Sequence, residues 1–274
     1  MPLQAEPVQS RGIPCIRLRN DGATALVALH GAHVLSWIPA DGRERLFLSE
    51  RAKCAEGAAI RGGVPVIFPQ FAERGPHQRH GFARALAWRY AGIGDGLAAF
   101  ELENDERTAQ WPHAFAARLR VGLSADTIEL TLEIGNTGDD VLSFTAALHT
   151  YLRVEDIDNV ALFGLQGCDY EDSAAGGVLR REDDHEVRFG GEVDRIYNDV
   201  VAPLELHDGA RVLHIEQAGF GDTVVWNPGE RLAAGIGDLA PGDWKRFVCV
   251  EAGQVLAPQV LAPGETWSGS QILH

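Results

Sequence analysis

The chain has 274 residues, and its 39 Asp and Glu outnumber 24 Lys and Arg, giving a formal net charge of −15. That balance excludes a nucleic-acid binder and a partner of anionic membranes, since both need a basic surplus on one face. A hydrophobic share of 45% argues against disorder, and 31 Gly with 13 Pro are too few for a low-complexity or collagen-like chain.

Read in chain order, the sequence alternates with period two. The start, Met1-Pro2-Leu3-Gln4-Ala5-Glu6, has neither a basic n-region nor an apolar h-region, so no secretory signal is expected. Asn20-Asp21-Gly22 and Asp41-Gly42 are turn signals that bound short apolar runs. Residues 49–59 are the best candidate for a short helical or irregular piece. In Ile60-Arg61-Gly62-Gly63-Val64-Pro65-Val66-Ile67-Phe68-Pro69-Gln70-Phe71, two prolines predict edge or loop structure rather than a central strand. Residues 88–93 and 97–103 flank Gly94-Asp95-Gly96, which supplies the positive-φ residues of a tight hairpin.

Further along, Phe115, Ala117, Leu119, Val121 and Leu123 share one strand face, with Arg118 and Arg120 on the other. Ile128, Leu130, Leu132 and Ile134 repeat the pattern against Glu129, Thr131 and Glu133. The charged run 180–186 is expected to be a solvated loop. Residues 211–216 alternate again, and turn signals recur at Asn227-Pro228-Gly229, Pro241-Gly242-Asp243 and Pro263-Gly264. No long, capped helical pattern occurs. The expectation is an all-β fold, one antiparallel domain over residues 1–274. Cys15, Cys54, Cys168 and Cys249 form no C-x-x-C pair, and no stretch approaches the ~18 apolar residues of a membrane span. A cytoplasmic protein with no membrane or nucleic-acid partner is expected, and nothing demands more than a monomer.

Four places carry candidate chemistry. His149 shares a strand face with Thr145, Ala147 and Tyr151, small enough to leave room for a ligand; the alternative is a hydrogen-bonded core histidine. Glu251 ends the apolar run Phe247-Val248-Cys249-Val250, where desolvation would raise its pKa and suit it to act as a general base. The alternative is a strand-end carboxylate emerging into water. Arg61 precedes two glycines, where the backbone is most permissive, and reads equally as a surface arginine on a turn. Gln78-Arg79-His80-Gly81-Phe82-Ala83-Arg84 packs two arginines and a histidine into an acidic chain, either a clamp for a carboxylate or phosphate or a solvated turn. His30 with His33, and His77 with His80, have i,i+3 spacing but no H-E-x-x-H context, so no metal is expected. No nucleotide-binding glycine fingerprint and no G-x-S-x-G elbow is present. Most of the six Trp read as core, with one or two free to stack on a sugar ring.

An ordered set of segments resembles the aldose 1-epimerases, in the branch acting on hexose 6-phosphates. The segments are Gly31-Ala32-His33-Val34-Leu35-Ser36-Trp37, Ile60-Arg61-Gly62-Gly63-Val64-Pro65, Phe68-Pro69-Gln70-Phe71 and His80-Gly81-Phe82-Ala83-Arg84. Ala147-Leu148-His149-Thr150-Tyr151, Val193-Asp194-Arg195-Ile196-Tyr197, Val225-Trp226-Asn227-Pro228 and Val248-Cys249-Val250-Glu251 complete it. The resemblance implies a large antiparallel β-sandwich of the galactose-mutarotase-like type, with the site in a cleft on one sheet. It implies His149 as general acid and Glu251 as general base. It also implies Arg61, Arg84 and Asp194 at substrate-binding positions. His80 joins them as a lining residue and Arg79 as a further arginine, although relatives commonly carry another polar residue before the His-Gly pair.

The implied reaction interconverts the α and β anomers of a hexose 6-phosphate, glucose 6-phosphate foremost. A base takes the C1 hydroxyl proton while an acid protonates the ring oxygen, so neither a free alkoxide nor an oxonium forms. No cofactor is needed. Two other readings stay open: a sugar-binding module or neutral-aldose epimerase on the same fold, and a metal-dependent β-barrel enzyme. The net charge of −15 repels an anionic sugar phosphate, so binding must depend on a local arginine cluster within a Debye length of roughly 8–10 Å.

Overall fold

The computed structural model describes residues 2–274. In chain order the elements are β1 (Gln4–Ser10), β2 (Ile13–Asn20), β3 (Ala23–Ala28), β4 (His33–Ile38), β5 (Val66–Ile67), β6 (Arg89–Gly94), β7 (Leu97–Glu103), β8 (Phe115–Leu123), β9 (Ile128–Asn136) and β10 (Leu142–Leu148). Next come β11 (Tyr151–Arg153), β12 (Val160–Phe163), β13 (Asp169–Asp172), β14 (Val178–Arg181), β15 (Glu186–Val187) and β16 (Val193–Asn198). The last are β17 (Leu204–Asp208), β18 (Arg211–Ala218), β19 (Asp222–Asn227), the one-turn helix α1 (Gly229–Ala233), β20 (Phe247–Leu261) and β21 (Thr266–Leu273).

The strands pair antiparallel in three sheets. β1 to β4 form a meander. One large sheet runs β14-β13-β16-β19-β20-β10-β5, with β11 also on β20; the other runs β15-β12-β17-β18-β21-β9-β8-β7-β6. Cross-strand partners share a face, so the register divides the first large sheet into two sides. On its inner side Leu148 faces Ala252, Ala252 faces Thr223 and Thr223 faces Tyr197. That side packs into one core with Ile128, Leu130, Leu132 and Ile134 of β9, the alternation seen in the sequence. The outer side carries Ala147, His149, Tyr151, Cys249, Glu251, Val224, Trp226, Ile196 and Asp194.

Two apolar clusters border the outer side. Ile67, Phe71, Ala147, Ile196, Val224 and Val255 form one. Phe47, Tyr151, Leu239, Phe247 and Cys249 form the other, with Trp226 and the α1 segment against it. His149 and Glu251 lie between them on the sheet face.

The hairpin between β6 and β7 turns through Asp95 and Gly96, both at positive φ, as the glycine-rich turn predicts. The proline-rich stretch supplies only the two-residue edge strand β5, because proline lacks the N–H a central strand must donate. Residues 49–59 are irregular rather than helical. The charged run 180–186 differs from its expected solvated loop. Glu182 within it is buried and accepts hydrogen bonds from Arg195 Nη1 at 2.8 Å and the Tyr197 hydroxyl at 2.7 Å. A tertiary partner thus offsets the desolvation that a local reading assigns to water.

Candidate active site

The site begins with a break in strand pairing. β10 ends at Leu148 opposite Ala252, and β11 starts at Tyr151 opposite Cys249. The His149-Thr150 gap between them lies opposite Val250 and Glu251. There the His149 N–H donates to the Pro65 carbonyl at 3.1 Å, and the Val250 N–H donates to the Thr150 carbonyl at 3.1 Å. Gln271 of β21 closes the underside, donating to the Val250 carbonyl at 3.0 Å and accepting from the Thr150 hydroxyl. Every freed backbone group named here has a partner, so the kink is supported and presents His149 to the outer face.

His149 Nδ1 lies 3.1 Å from Glu251 Oε1. The approach does not have hydrogen-bond alignment, and Nδ1 and Glu251 Oε2 are both sealed from solvent without hydrogen-bond partners. Glu251 is 1% exposed and His149 8%. Burial pushes the Glu251 carboxyl well above its ordinary range, and the negative charge of Asp194 adds to this. Burial, followed by His80, Arg61 and Arg84, pushes the His149 imidazole well below its ordinary value. Two groups this close titrate as a unit. Both shifts favour the uncharged forms, a protonated Glu251 beside a neutral His149, and transfer of that proton to His149 would make an ion pair. The imidazole stacks on Tyr151 (centroids 4.8 Å apart, planes at 9°) and meets the edges of Trp226 and His80.

Arg61 is held by the double glycine beside it. Gly62 and Gly63 sit at φ +107° and +62°, and a Cβ there would lie 2.3 Å from the carbonyl oxygens of Phe47 and Val34 respectively. His33 props this turn, its Nε2 donating to the Gly62 carbonyl at 2.7 Å. The proton must sit on Nε2 because a carbonyl only accepts. Likewise His30 Nε2 contacts the Ala58 carbonyl at 2.6 Å, so each of these histidines holds a backbone carbonyl through Nε2. Arg61 donates from Nη1 to the Tyr151 hydroxyl at 2.9 Å and from Nε to Asp238 at 3.0 Å. Burial opposes its charge, but Tyr151 and Asp238 outweigh burial and raise its pKa.

Arg84 follows a left-handed pair, His80 at φ 63° and Gly81 at 66°, and lies in the single helical turn Ala83–Ala85. Its Nη2 donates to the Arg79 carbonyl at 2.9 Å, and among the described residues no carboxylate pairs with it. Burial, then repulsion from Arg61 and Arg79, pulls its pKa down to about 10 against the attraction of Tyr151 and Asp238. His80 Nδ1 accepts from the Ala72 N–H at 3.3 Å. Burial and the three arginines Arg84, Arg79 and Arg61 push its pKa down to about 2. His80 is therefore neutral, with its proton on Nε2. Arg79 stands at the exposed rim, 3.9 Å from Glu73. Asp194 shares the outer face with Glu251; burial, then Glu192, raises its pKa to about 6. No hydrogen bond within the described residues engages its carboxylate.

The structure thus brings His149, Glu251, Arg61, Arg84 and His80 together, with Asp194 beside them and Arg79 outside. Sequence reasoning assigned no role to Tyr151, Trp226, Asp238 or Cys249. Tyr151 was legible, lying two residues from His149 on a period-two run. Asp238 was not: it sits in a loop of small residues and reaches Arg61 only through tertiary folding. A groove of about 670 Å³ on the other large sheet, lined by Arg89, Glu101, Arg118 and Glu133 among others, holds charges already paired with one another. The outer face of the β20 sheet is the place where a buried acid, a histidine and an unpaired arginine meet.

The sequence profile of the aldose 1-epimerase family matches residues 14–274. A protein of Escherichia coli strain K12 is 38% identical over 268 residues, spanning 90% of this chain and 87% of that protein; it carries the provisional name glucose-6-phosphate 1-epimerase. A Cenchrus ciliaris protein with the same provisional name is 35% identical, spanning 89% of this chain and 79% of its own. The crystal structure of a Salmonella typhimurium protein, provisionally named a mutarotase, superimposes with a TM-score of 0.90 at 32% identity, over 98% of this chain and 92% of that one. A galactose mutarotase-like protein from Lactobacillus casei shares the fold at a TM-score of 0.76 and 17% identity, over 95% of this chain and all of that one. With a family profile spanning all but the first strand and the start of the second, and relatives above 30% identity along most of their length, this chain belongs to the aldose 1-epimerase family.

Proposed function

We propose that the protein interconverts the α and β anomers of hexose 6-phosphates, glucose 6-phosphate foremost, with Glu251 as base and His149 as acid. The observation that carries this is the contact between His149 Nδ1 and Glu251 Oε1, 3.1 Å long, in a cleft bordered by an arginine without a carboxylate partner.

One shared proton accounts for both halves of the reaction. In the ion-pair form, Glu251 takes the C1 hydroxyl proton while imidazolium His149 delivers its proton to the ring oxygen. The C1–O5 bond breaks and the open-chain aldehyde forms. Glu251 is now a neutral acid and His149 a neutral base, the form that desolvation favours. Rotation about C1–C2 presents the other carbonyl face. The C5 hydroxyl then attacks C1, giving its proton to His149 as Glu251 protonates the carbonyl oxygen, which becomes the new C1 hydroxyl. No net proton is consumed, and the two microstates of the pair are the two states of the cycle.

Arg84 is the cation for the 6-phosphate. Arg61 already satisfies Asp238 and Tyr151, so it orients more than it neutralises, and Arg79 at the rim adds attraction as the substrate enters. Asp194 accepts sugar hydroxyls and Trp226 offers an apolar face. His80, neutral with Nε2–H, donates rather than ionises. One continuous core from Leu3 to Leu273 supports a single unit, and the proposed chemistry asks for no more than a monomer. Among the described residues no helix is long and apolar enough to cross a membrane. The four cysteines are free thiols, which suits the cytoplasm.

Magnetisation-exchange NMR on equilibrated glucose 6-phosphate, with glucose as comparison, tests this reading. Exchange should rise in proportion to enzyme and be faster for the phosphate. Saturable binding of glucose 6-phosphate without faster exchange would instead make the chain a sugar-phosphate-binding module.

A further inference from the structure

Cys249 stands two residues before Glu251 on the outer face, between Trp226 of β19 and Tyr151 of β11. Its thiol is fully buried, has no hydrogen bond among the described residues and takes no part in the proposed acid–base chemistry. Yet one ligand atom each from His149, Cys249 and Glu251 lie within 4.8 Å of one another, the one such buried trio found among the described residues. Two further facts point to a ligand. His149 Nδ1 and Glu251 Oε2 are sealed and unpartnered, a costly state for polar atoms. The donor set of one imidazole nitrogen, one sulfur and one carboxylate is that of a three-ligand zinc site with an open fourth position.

We propose that His149, Cys249 and Glu251 bind Zn²⁺ as an inhibitor, capturing the acid and the base of the site in one step. The inhibitory consequence rests on the function proposed above; the binding does not. Zinc–ligand bonds of about 2.0–2.3 Å place donor atoms roughly 3.5 Å apart, so side-chain shifts of roughly 1 Å close the trio on the ion. The S–H bond of Cys249 breaks as the Zn–S bond forms, and Glu251 coordinates as its carboxylate. The protons released pass to the buffer. Two anionic ligands then balance the ion's charge, so Arg61 and Arg84 face a neutral centre. Mg²⁺ and Ca²⁺ prefer an all-oxygen shell and do not compete.

The test uses the intact chain, purified without metal. Zn²⁺ is titrated against a chromophoric chelator, Co²⁺ serves as a spectroscopic probe, and anomer exchange is followed in parallel. The wild type should bind one Zn²⁺, show a near-ultraviolet thiolate-to-cobalt band, and lose exchange as zinc fills the site. Cys249→Ser and Cys249→Ala, each checked for folding by zinc-free thermal unfolding, should weaken zinc on the order of 100-fold and lose the cobalt band. Their zinc-free exchange should stay within about twofold of wild type, and excess glucose 6-phosphate should compete with zinc in the wild type. Zinc affinity independent of Cys249, or a cobalt spectrum without a sulfur band, overturns the site. Cysteine-dependent binding that leaves exchange untouched overturns the inhibition. A zinc-free wild type with no exchange overturns the proposed function instead, and the cobalt and chelator readings still decide the metal site.

Discussion

His149 stands opposite Glu251 on one register line of the sheet, Nδ1 to Oε1 3.1 Å, although β10 and β11 stop short of pairing there. The His149 N–H continues the β5-side alternation, donating to the Pro65 carbonyl at 3.1 Å as the Thr145 N–H does to Pro69 at 2.9 Å. The break falls on Thr150, whose N–H turns back to the Leu148 carbonyl at 3.0 Å, while the His149 ring stacks on Tyr151.

The buried Asp194 carboxylate costs stability once it ionises. Its pKa is raised to about 6 from a model-peptide 3.8, so ionisation disfavours the folded state above pH 6 and is neutral below pH 3.8, where both states are protonated. Asp194→Asn is expected to raise stability at pH 7.5 by up to about 3 kcal/mol, with the gain vanishing as pH falls through 6 toward 3.8. Urea unfolding across this range measures it. The same variant should slow anomer exchange. A stability gain that persists below pH 3.8 would show that its cause is not the Asp194 charge.

Arg84 is the cation proposed for the 6-phosphate. Losing one charge-assisted interaction of about 1.5–3 kcal/mol should raise KM for glucose 6-phosphate roughly 10- to 150-fold in Arg84→Ala. KM for glucose should change little. Equal losses for both sugars would mean that Arg84 supports the fold of the cleft and not the phosphate.

The glycines differ in what they permit. Gly62→Ala drives a Cβ to 2.3 Å from the Phe47 carbonyl oxygen, whereas at Gly42, φ +79°, a Cβ meets nothing within 4 Å. Gly42→Ala should therefore lose only the left-handed strain of about 1–2 kcal/mol. Gly62→Ala should lose more than about 3 kcal/mol and displace Arg61. Chemical unfolding of the pair compares them directly, and similar losses would contradict the packing described for the Arg61 turn.

The sequence displayed the strands wherever alternation is local. β7 and β8 fall where apolar and polar residues alternate, because one face of each packs in the core. His149 and Glu251 were visible as polar residues on otherwise apolar runs, and the family segments marked Arg61, Arg84 and Asp194. What could not be read was partnership. Register between β10 and β20 is set by long-range pairing, so the His149–Glu251 contact had no local signal. The same holds for Asp238 on Arg61 and for Glu182 beneath Arg195 and Tyr197. Cys249 was hidden differently: a thiol on an apolar strand looks like core until the residues on its face are known.

In the proposed cycle Glu251 and His149 share one proton and act as base and acid in turn. Exchange NMR between α and β glucose 6-phosphate, with wild type, Glu251→Gln, His149→Asn and the double variant, tests it most directly. Each single variant should lose about 10²- to 10⁴-fold, and the double variant little more than the worse single, because the two residues act as one unit. Near-wild-type exchange in either single variant would contradict the account.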